Sequence, residues 1–323
     1  MPYLDKNEMP YPPPKSIRNA IKESLRHINR YTRQEQVDEL LNVLSKYNNI
    51  DKETIVLSSG SDILIKEFIF LFSELSQLII ADPTFIIINN AALKSSSELL
   101  KVKLSEPEFK FPVDVIENEL DKPSLIVLDN PNNPTGKLII TEEEVKALLN
   151  NENVILLIDE AYYEFSGITF LPLIKKFPNL AILRTLSKSF GLAGSGIGYL
   201  LAGKKIQEKF EGLDIMLPSP SVIGAISALN EKEYMNEYIT QVNEEKKKMT
   251  NQLNNLGVIC YPSSTNFLLV KTNTLNIAKK LAEKGVYVYD VSNYFNSNYI
   301  RVTIGSHNEN EYFLQSMEEI IKK

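Results

Sequence analysis

The sequence predicts an α/β protein, a mostly parallel sheet covered by helices, joined to a smaller α+β lobe. Two observations carry this. Short apolar runs such as LIIA at 78–81 and VILLI at 154–158 alternate with helix-length segments through the first two thirds of the chain. Runs with no polar face are the mark of strands buried on both sides, as parallel strands are. Beyond about residue 230 the pattern changes to a long charged helix and short strands at 267–270, 286–288 and 299–302. The expected division is a large domain at 33–230 and a small discontinuous domain made of 1–32 and 231–323. A chain of 323 residues is long enough for two such lobes.

In order, residues 1–14 are polar and Pro-rich and predict an extended arm rather than a packed element. Helical spacing follows at 16–28 and 33–47. The first two helices are separated by Asn29-Arg30-Tyr31. Strands are expected at 53–57, 78–81, 99–104, 125–128, 154–158, 180–183 and 197–202, with helices at 63–71, from Phe85 onward, and at 141–149. Thr141 with Glu144 three residues on is a capping-box signature. In the last third, helices are expected at 221–229, 232–256, 277–284 and 308–321.

The composition excludes several classes of function. A net charge of −6 and the absence of a basic stripe argue against a nucleic-acid partner. One cysteine, Cys260, forbids an internal disulfide, and two distant histidines offer no metal site. No apolar run is long enough to span a bilayer, and the first residues lack a signal peptide's blocks, so a cytoplasmic protein is expected.

Four polar motifs follow four apolar strands, and open α/β sheets bind ligands at the carboxyl ends of their strands. SSGSD at 58–62 puts small residues at a helix start, where free amides hold an anion; an ordinary N-cap is the plainer reading. NPNNPTG at 130–136 is a turn stiffened by two prolines, which presents Asn133 in a fixed pose or merely crosses over. Asp159 ends a wholly apolar strand and calls for a cationic partner, unless it caps the next helix. Lys188 lies between two serines beyond the strand at 180–183, as a nucleophile or as a lysine facing water. A phosphorylated pyridine aldehyde satisfies all four, with its phosphate at the helix start, its ring nitrogen on Asp159 and its aldehyde on Lys188. A nucleotide-phosphate site uses similar parts, but no glycine-rich phosphate loop follows the first strand. The glycines at 194, 196 and 198 read as close backbone packing.

LDKNEMPY at 4–11, NRY at 29–31, SSGSD, DPTF at 82–85, NPNNPTG, DEAYYEF at 159–165, TLSKSFGLAG at 185–194 and YIRVTIG at 299–305 stand in that order. Taken together they resemble the fold-type I aminotransferases, which use pyridoxal 5'-phosphate, and within them the histidinol-phosphate aminotransferases. The resemblance covers nearly the whole chain. It implies an aspartate-aminotransferase-like fold whose large domain binds the cofactor, and the transfer of an amino group between an amino donor and a 2-oxo acid. It implies that Lys188 holds the cofactor and shuttles the proton, that Asp159 keeps the ring nitrogen protonated, and that Asn133 and Tyr162 bond its phenolic oxygen. Phe85 would stack on the ring. The amides of Ser61 and Asp62 and the hydroxyls of Thr185 and Ser187 would hold the phosphate. Tyr31 would reach that phosphate from the other subunit of a homodimer. Arg301 would grip the substrate α-carboxylate, or in histidinol phosphate whatever occupies that place, and Tyr11, on the arm, would close over the substrate.

Two positions depart from the pattern. Eight residues after the lysine, where these enzymes place an arginine on the cofactor phosphate, stands Gly196. Where the histidinol-phosphate enzymes carry a substrate-phosphate arginine stands Tyr289, which brings a hydrogen bond but no charge. The motifs therefore mark the superfamily more firmly than the substrate. A threonine-phosphate decarboxylase, an aromatic or aspartate aminotransferase, and a non-catalytic binding protein on the same fold remain alternative readings.

Overall fold

The computed structural model describes residues 1–213, 215–295 and 297–322. Its strands are β1 (Tyr3–Leu4), β2 (Ile55–Ser58), β3 (Gln77–Asp82), β4 (Glu98–Lys103), β5 (Ser124–Asp129), β6 (Val154–Asp159), β7 (Leu180–Thr185), β8 (Gly198–Ala202), β9 (Ile259–Cys260), β10 (Phe267–Lys271), β11 (Tyr287–Asp290) and β12 (Tyr299–Thr303). Seven form one sheet in the order β2-β8-β7-β6-β5-β3-β4, and five form a second in the order β1-β11-β12-β10-β9.

In the larger sheet β4, β3, β5, β6 and β7 are mutually parallel. β3, β4, β5 and β6 each lead to a helix, whereas β7 turns straight back into β8. Alternate residues enter different cores. Ile126, Leu128, Leu156 and Ile158 pack into one cluster, and Leu125, Val127, Ile155 and Leu157 into another. This period of two on a strand with no polar residue explains why the runs read as continuous apolar stretches. β8 runs antiparallel to both β7 and β2. β2 thus points the same way as β7, and the four motifs emerge along one edge.

The capping box at Thr141 forms as read, with the Thr141 hydroxyl accepting from the Glu144 amide and the Glu144 carboxylate accepting from the Thr141 amide at 2.7 Å. The long helix Glu233–Asn255 buries Met235, Tyr238, Val242, Met249 and Leu253, a helical stripe that leaves most of its charges in solvent, Glu245 and Lys246 being partly buried. None of the described helices is long and apolar enough to cross a membrane.

Two expectations are corrected. The start of the chain is not simply an unpacked arm. Tyr3 and Leu4 pair with Tyr287 and Val288, Leu4 is buried in the small-lobe core, and Asn7 is buried. The alternation of buried and exposed residues there is too short to register against the polar and Pro-rich composition. Second, the helix Lys15–Ser24 packs on the large-lobe helix Ser219–Asn230, with Ile17 in the large core and Ile21 close to Gly224. The sequence had grouped it with the smaller lobe.

Candidate active site

A cavity of about 500 Å³ opens at the carboxyl ends of β3, β5, β6 and β7, beneath β11, β12 and the segment after β1. All four motifs reach it, through Ser61 and Asp62, Asn133, Asp159 and Lys188, together with Phe85, Tyr162, Thr185, Ser187 and Arg301. Tyr31 and Tyr11 do not line it; they are 85% and 43% exposed.

Asp159 is held at the end of β6, beside Asp129 on β5. It is 3% exposed and receives a hydrogen bond from the Ala161 amide at 3.0 Å. Burial, then the negative charge of Asp129, push its carboxyl up to about 8. Asp129 is better furnished. It accepts from the Thr84 hydroxyl at 2.8 Å, the Phe85 amide at 3.2 Å, the Asn132 amide group at 2.9 Å and the Asn133 backbone at 2.7 Å. Even so, burial raises it to about 6. Asp129 thereby fixes both the Phe85 turn and the Asn133 turn. The sequence reading passed over it, although it ends an apolar strand just as Asp159 does.

Lys188 is half-buried, and its Nζ donates to the Lys6 carbonyl at 3.0 Å. Burial, then the Arg301 charge, lower its amine to about 8. Roughly a tenth of such an amine is uncharged at pH 7, and more above it, which a nucleophile needs and a water-facing lysine lacks. Arg301, on β12, is 7% exposed. Its Nη1 donates to the Asn133 side-chain oxygen at 2.6 Å and its Nη2 to the Asp5 carbonyl, while Nε is buried without a partner. The guanidinium lies 4.7 Å from the Tyr289 ring centre and 5.4 Å from that of Phe267. Tyr289 thus faces the cavity over the arginine and adds a hydroxyl rather than a charge. The cations lining the cavity are Lys6, Lys188 and Arg301.

At the other end, Ser61–Leu71 starts at Gly60, whose φ is +110° and which leaves the first turn without a side-chain cap. Those amides are open to an anion. The Ser187 amide donates to the Thr185 hydroxyl at 3.1 Å, and the two hydroxyls lie 3.0 Å apart. Gly198 is obligatory, because a Cβ there would sit 2.2 Å from the Ser61 nitrogen. Gly196 has φ +62°, with nothing nearer to a built Cβ than the Ser59 carbonyl at 3.8 Å. The missing arginine is therefore accompanied by a left-handed backbone that side chains adopt at a cost.

Behind the cavity Arg184 on β7 is 2% exposed and meets Glu160 at 2.8 Å, the Thr169 hydroxyl at 2.7 Å and the Asn48 side-chain oxygen at 2.8 Å. Glu160 also accepts from the Phe170 amide at 2.7 Å. Successive residues at the end of β6 diverge, with Asp159 turned to the cavity and Glu160 to this network.

Fold and site define a class: a lysine-nucleophile enzyme on an α/β scaffold, with an anion cradle and a buried acid. The family model for aminotransferase class I and II matches residues 3–317, and the chain belongs to that family. It is 32% identical to a histidinol-phosphate aminotransferase of Sulfurisphaera tokodaii over 99% of this chain and 90% of that protein. It is 33% identical to one from Thermococcus gammatolerans over 98% and 91%. Among solved structures it superposes on a histidinol-phosphate aminotransferase from Clostridium acetobutylicum with TM-score 0.90 and 23% identity, covering 100% and 99% of the two chains. It also superposes on one from Sinorhizobium meliloti in complex with pyridoxal 5'-phosphate with TM-score 0.89 and 22% identity, covering 99% and 90%.

The chain is a pyridoxal-phosphate-dependent aminotransferase with fold-type I architecture. Its residues fit that cofactor. Asp159 is a buried carboxyl with room for a cation, Lys188 is an amine of lowered pKa, and the uncapped helix start is an anion cradle. Because the neutral amine is the form that adds to an aldehyde, the rate of cofactor uptake by the apoprotein is expected to rise from pH 7 to 9 and level off above. Stopped-flow absorbance checks this; a rate that keeps climbing about tenfold per pH unit beyond 9, as an ordinary lysine would give, contradicts the lowered amine.

Proposed function

We propose that this enzyme takes histidinol phosphate as amino donor and a 2-oxo acid as acceptor, as a step in histidine biosynthesis. The relatives' shared name over nearly the full chain supports the donor. The observation that carries the chemistry is the meeting of Lys188 and Asp159 in one cavity, the amine lowered to about 8 and the carboxyl raised to about 8.

When bound, pyridoxal 5'-phosphate supplies an aldehyde for the donor nitrogen and a ring that accepts the electron pair left by the departing α-proton. Lys188 Nζ would hold the aldehyde carbon at rest and would carry the proton to and from the donor's α-carbon. Asp159 holds a proton at the ring nitrogen; a cation there lets its carboxyl ionise and offsets the cost of burial. Asn133 and Tyr162 bind the phenolic oxygen, and Phe85 orients the ring by stacking. The amides of Ser61 and Asp62 and the hydroxyls of Thr185 and Ser187 hold the phosphate. Arg301 binds the donor's phosphate and the acceptor's carboxylate, exchanging its contacts with Asn133 and Asp5 to do so. Lys6 is the remaining cation for a phosphorylated donor. Tyr11 closes over the substrate from the arm. Tyr31 reaches the cofactor phosphate from a second copy of the chain, in a homodimer; exposed Leu25, Ile28 and Tyr31 on one segment support such an interface. We take the protein to be cytoplasmic. Its lobes are best divided at about 33 and 230, with Lys15–Ser24 riding on the larger one.

The test is an assay with histidinol phosphate and 2-oxoglutarate. Formation of glutamate supports the reading. Release of carbon dioxide from threonine phosphate, without amino transfer, overturns it in favour of a decarboxylase.

A further inference from the structure

Asn7 has no part in the chemistry above, yet it is among the most enclosed polar residues of the chain. It is 1% exposed and has φ +56°, in the left-handed region. Its amide donates to the Thr303 hydroxyl oxygen at 3.0 Å, and its carbonyl accepts from Asn266 Nδ2 at 3.1 Å. Its own Nδ2 donates to the Tyr162 hydroxyl oxygen at 2.8 Å. The flanking residues touch the site as well. The Asp5 carbonyl accepts from Arg301 and the Lys6 carbonyl accepts from Lys188. Three successive residues of one strap thus engage three groups of the active site.

A phenol has one proton to give and can accept as well. While Nδ2 of Asn7 donates to the Tyr162 oxygen, the Tyr162 proton is not directed at Asn7 and is free to point into the cavity. We infer that Asn7 is a positioning residue that commits Tyr162 to act as a hydrogen-bond donor toward the site. This rests on the reading in which Tyr162 meets the cofactor's phenolic oxygen. A donor there stabilises the oxygen's anionic form, so the strap sets how readily the bound cofactor loses its proton. The charged groups that face Tyr162 are Arg301 from β12, Asp159 from the end of β6 and Asp129 from the end of β5. The hydrogen-bond partners of Asn7 are Thr303, Tyr162 and Asn266 instead.

The test is Asn7→Asp, which keeps the shape, tolerates the left-handed backbone and offers only acceptors. The phenolic proton then turns to the new carboxylate and away from the cavity. The readout is the pH midpoint of the bound cofactor's visible absorbance, compared with Tyr162→Phe and with the double variant. The midpoint is expected to rise by about one unit in Asn7→Asp and by a similar amount in Tyr162→Phe. The double variant should rise no further than Tyr162→Phe alone, because both changes remove one interaction. A midpoint unmoved in Asn7→Asp while Tyr162→Phe shifts it overturns the inference alone. A shift in Asn7→Asp that persists in full on the Tyr162→Phe background assigns it to the added charge and also overturns it. A midpoint unmoved in Tyr162→Phe overturns the reading of Tyr162, and the inference with it. Should Asn7→Asp bind too little cofactor to titrate, Asn7→Gly removes the donating side chain without adding charge, fits the left-handed backbone and is expected to raise the midpoint in the same direction.

Discussion

Replacing Lys188 with alanine is expected to lower turnover about 10⁴-fold or more, by removing the covalent anchor and the proton carrier together. Nothing else in the cavity can take over both roles. Arg301 cannot give up a proton at working pH, and Lys6 lies on the strap, where its carbonyl rather than its amine meets Lys188. In the proposed reading Asp159 is committed to the ring nitrogen. The anion cradle at Ser61 and the hydroxyls of Thr185 and Ser187 are untouched by the change, so the cofactor should still be retained without its covalent link. Its absorbance should then match free cofactor. A variant that keeps a tenth of the parent's turnover would show that the proton moves by another route.

The second large effect is on stability. Arg184→Leu should cost about 3–5 kcal/mol, the range for breaking a buried ion pair and leaving one charge behind. The charge left is Glu160, fully enclosed and pushed upward by burial once its guanidinium partner is gone. Asn48 and Thr169 lose their donors at the same stroke. Replacing Glu160 as well, with leucine, should recover part of the loss, because the stranded charge rather than the missing attraction is the main cost. Urea denaturation of the single and double variants reads this directly. A single variant as stable as the parent would mean that water or a repacked side chain satisfies Glu160.

What the sequence revealed and what it hid follow the same physics. VILLID at 154–159 announces a strand buried on both faces and a carboxylate with nowhere to go; both statements hold, and Asp159 sits where they require. The four polar turns could be expected to meet because parallel strands share an edge, and they do. Asp129 carries the same signal as Asp159, overshadowed by the Pro-rich turn that follows it. The strap's place on the small lobe could be expected, but its pairings could not. Tyr3 pairs with Tyr287 across almost the whole chain, and no local pattern encodes so distant a partner. Asn7 is polar in a polar, Pro-rich stretch, and only the fold reveals that it is enclosed. Gly196 was legible as a departure from the family, but not as a residue whose backbone has moved into glycine's own region.

The most direct measurement is a half-reaction: the cofactor-loaded protein mixed with histidinol phosphate and no oxo-acid acceptor, followed by absorbance. The account predicts that the cofactor's carbonyl-form band disappears, with one equivalent of the donor's oxo product released per site, and returns when a 2-oxo acid is added. Conversion by unphosphorylated amino acids alone, with histidinol phosphate inert, would contradict it and make Tyr289 the mark of a different donor.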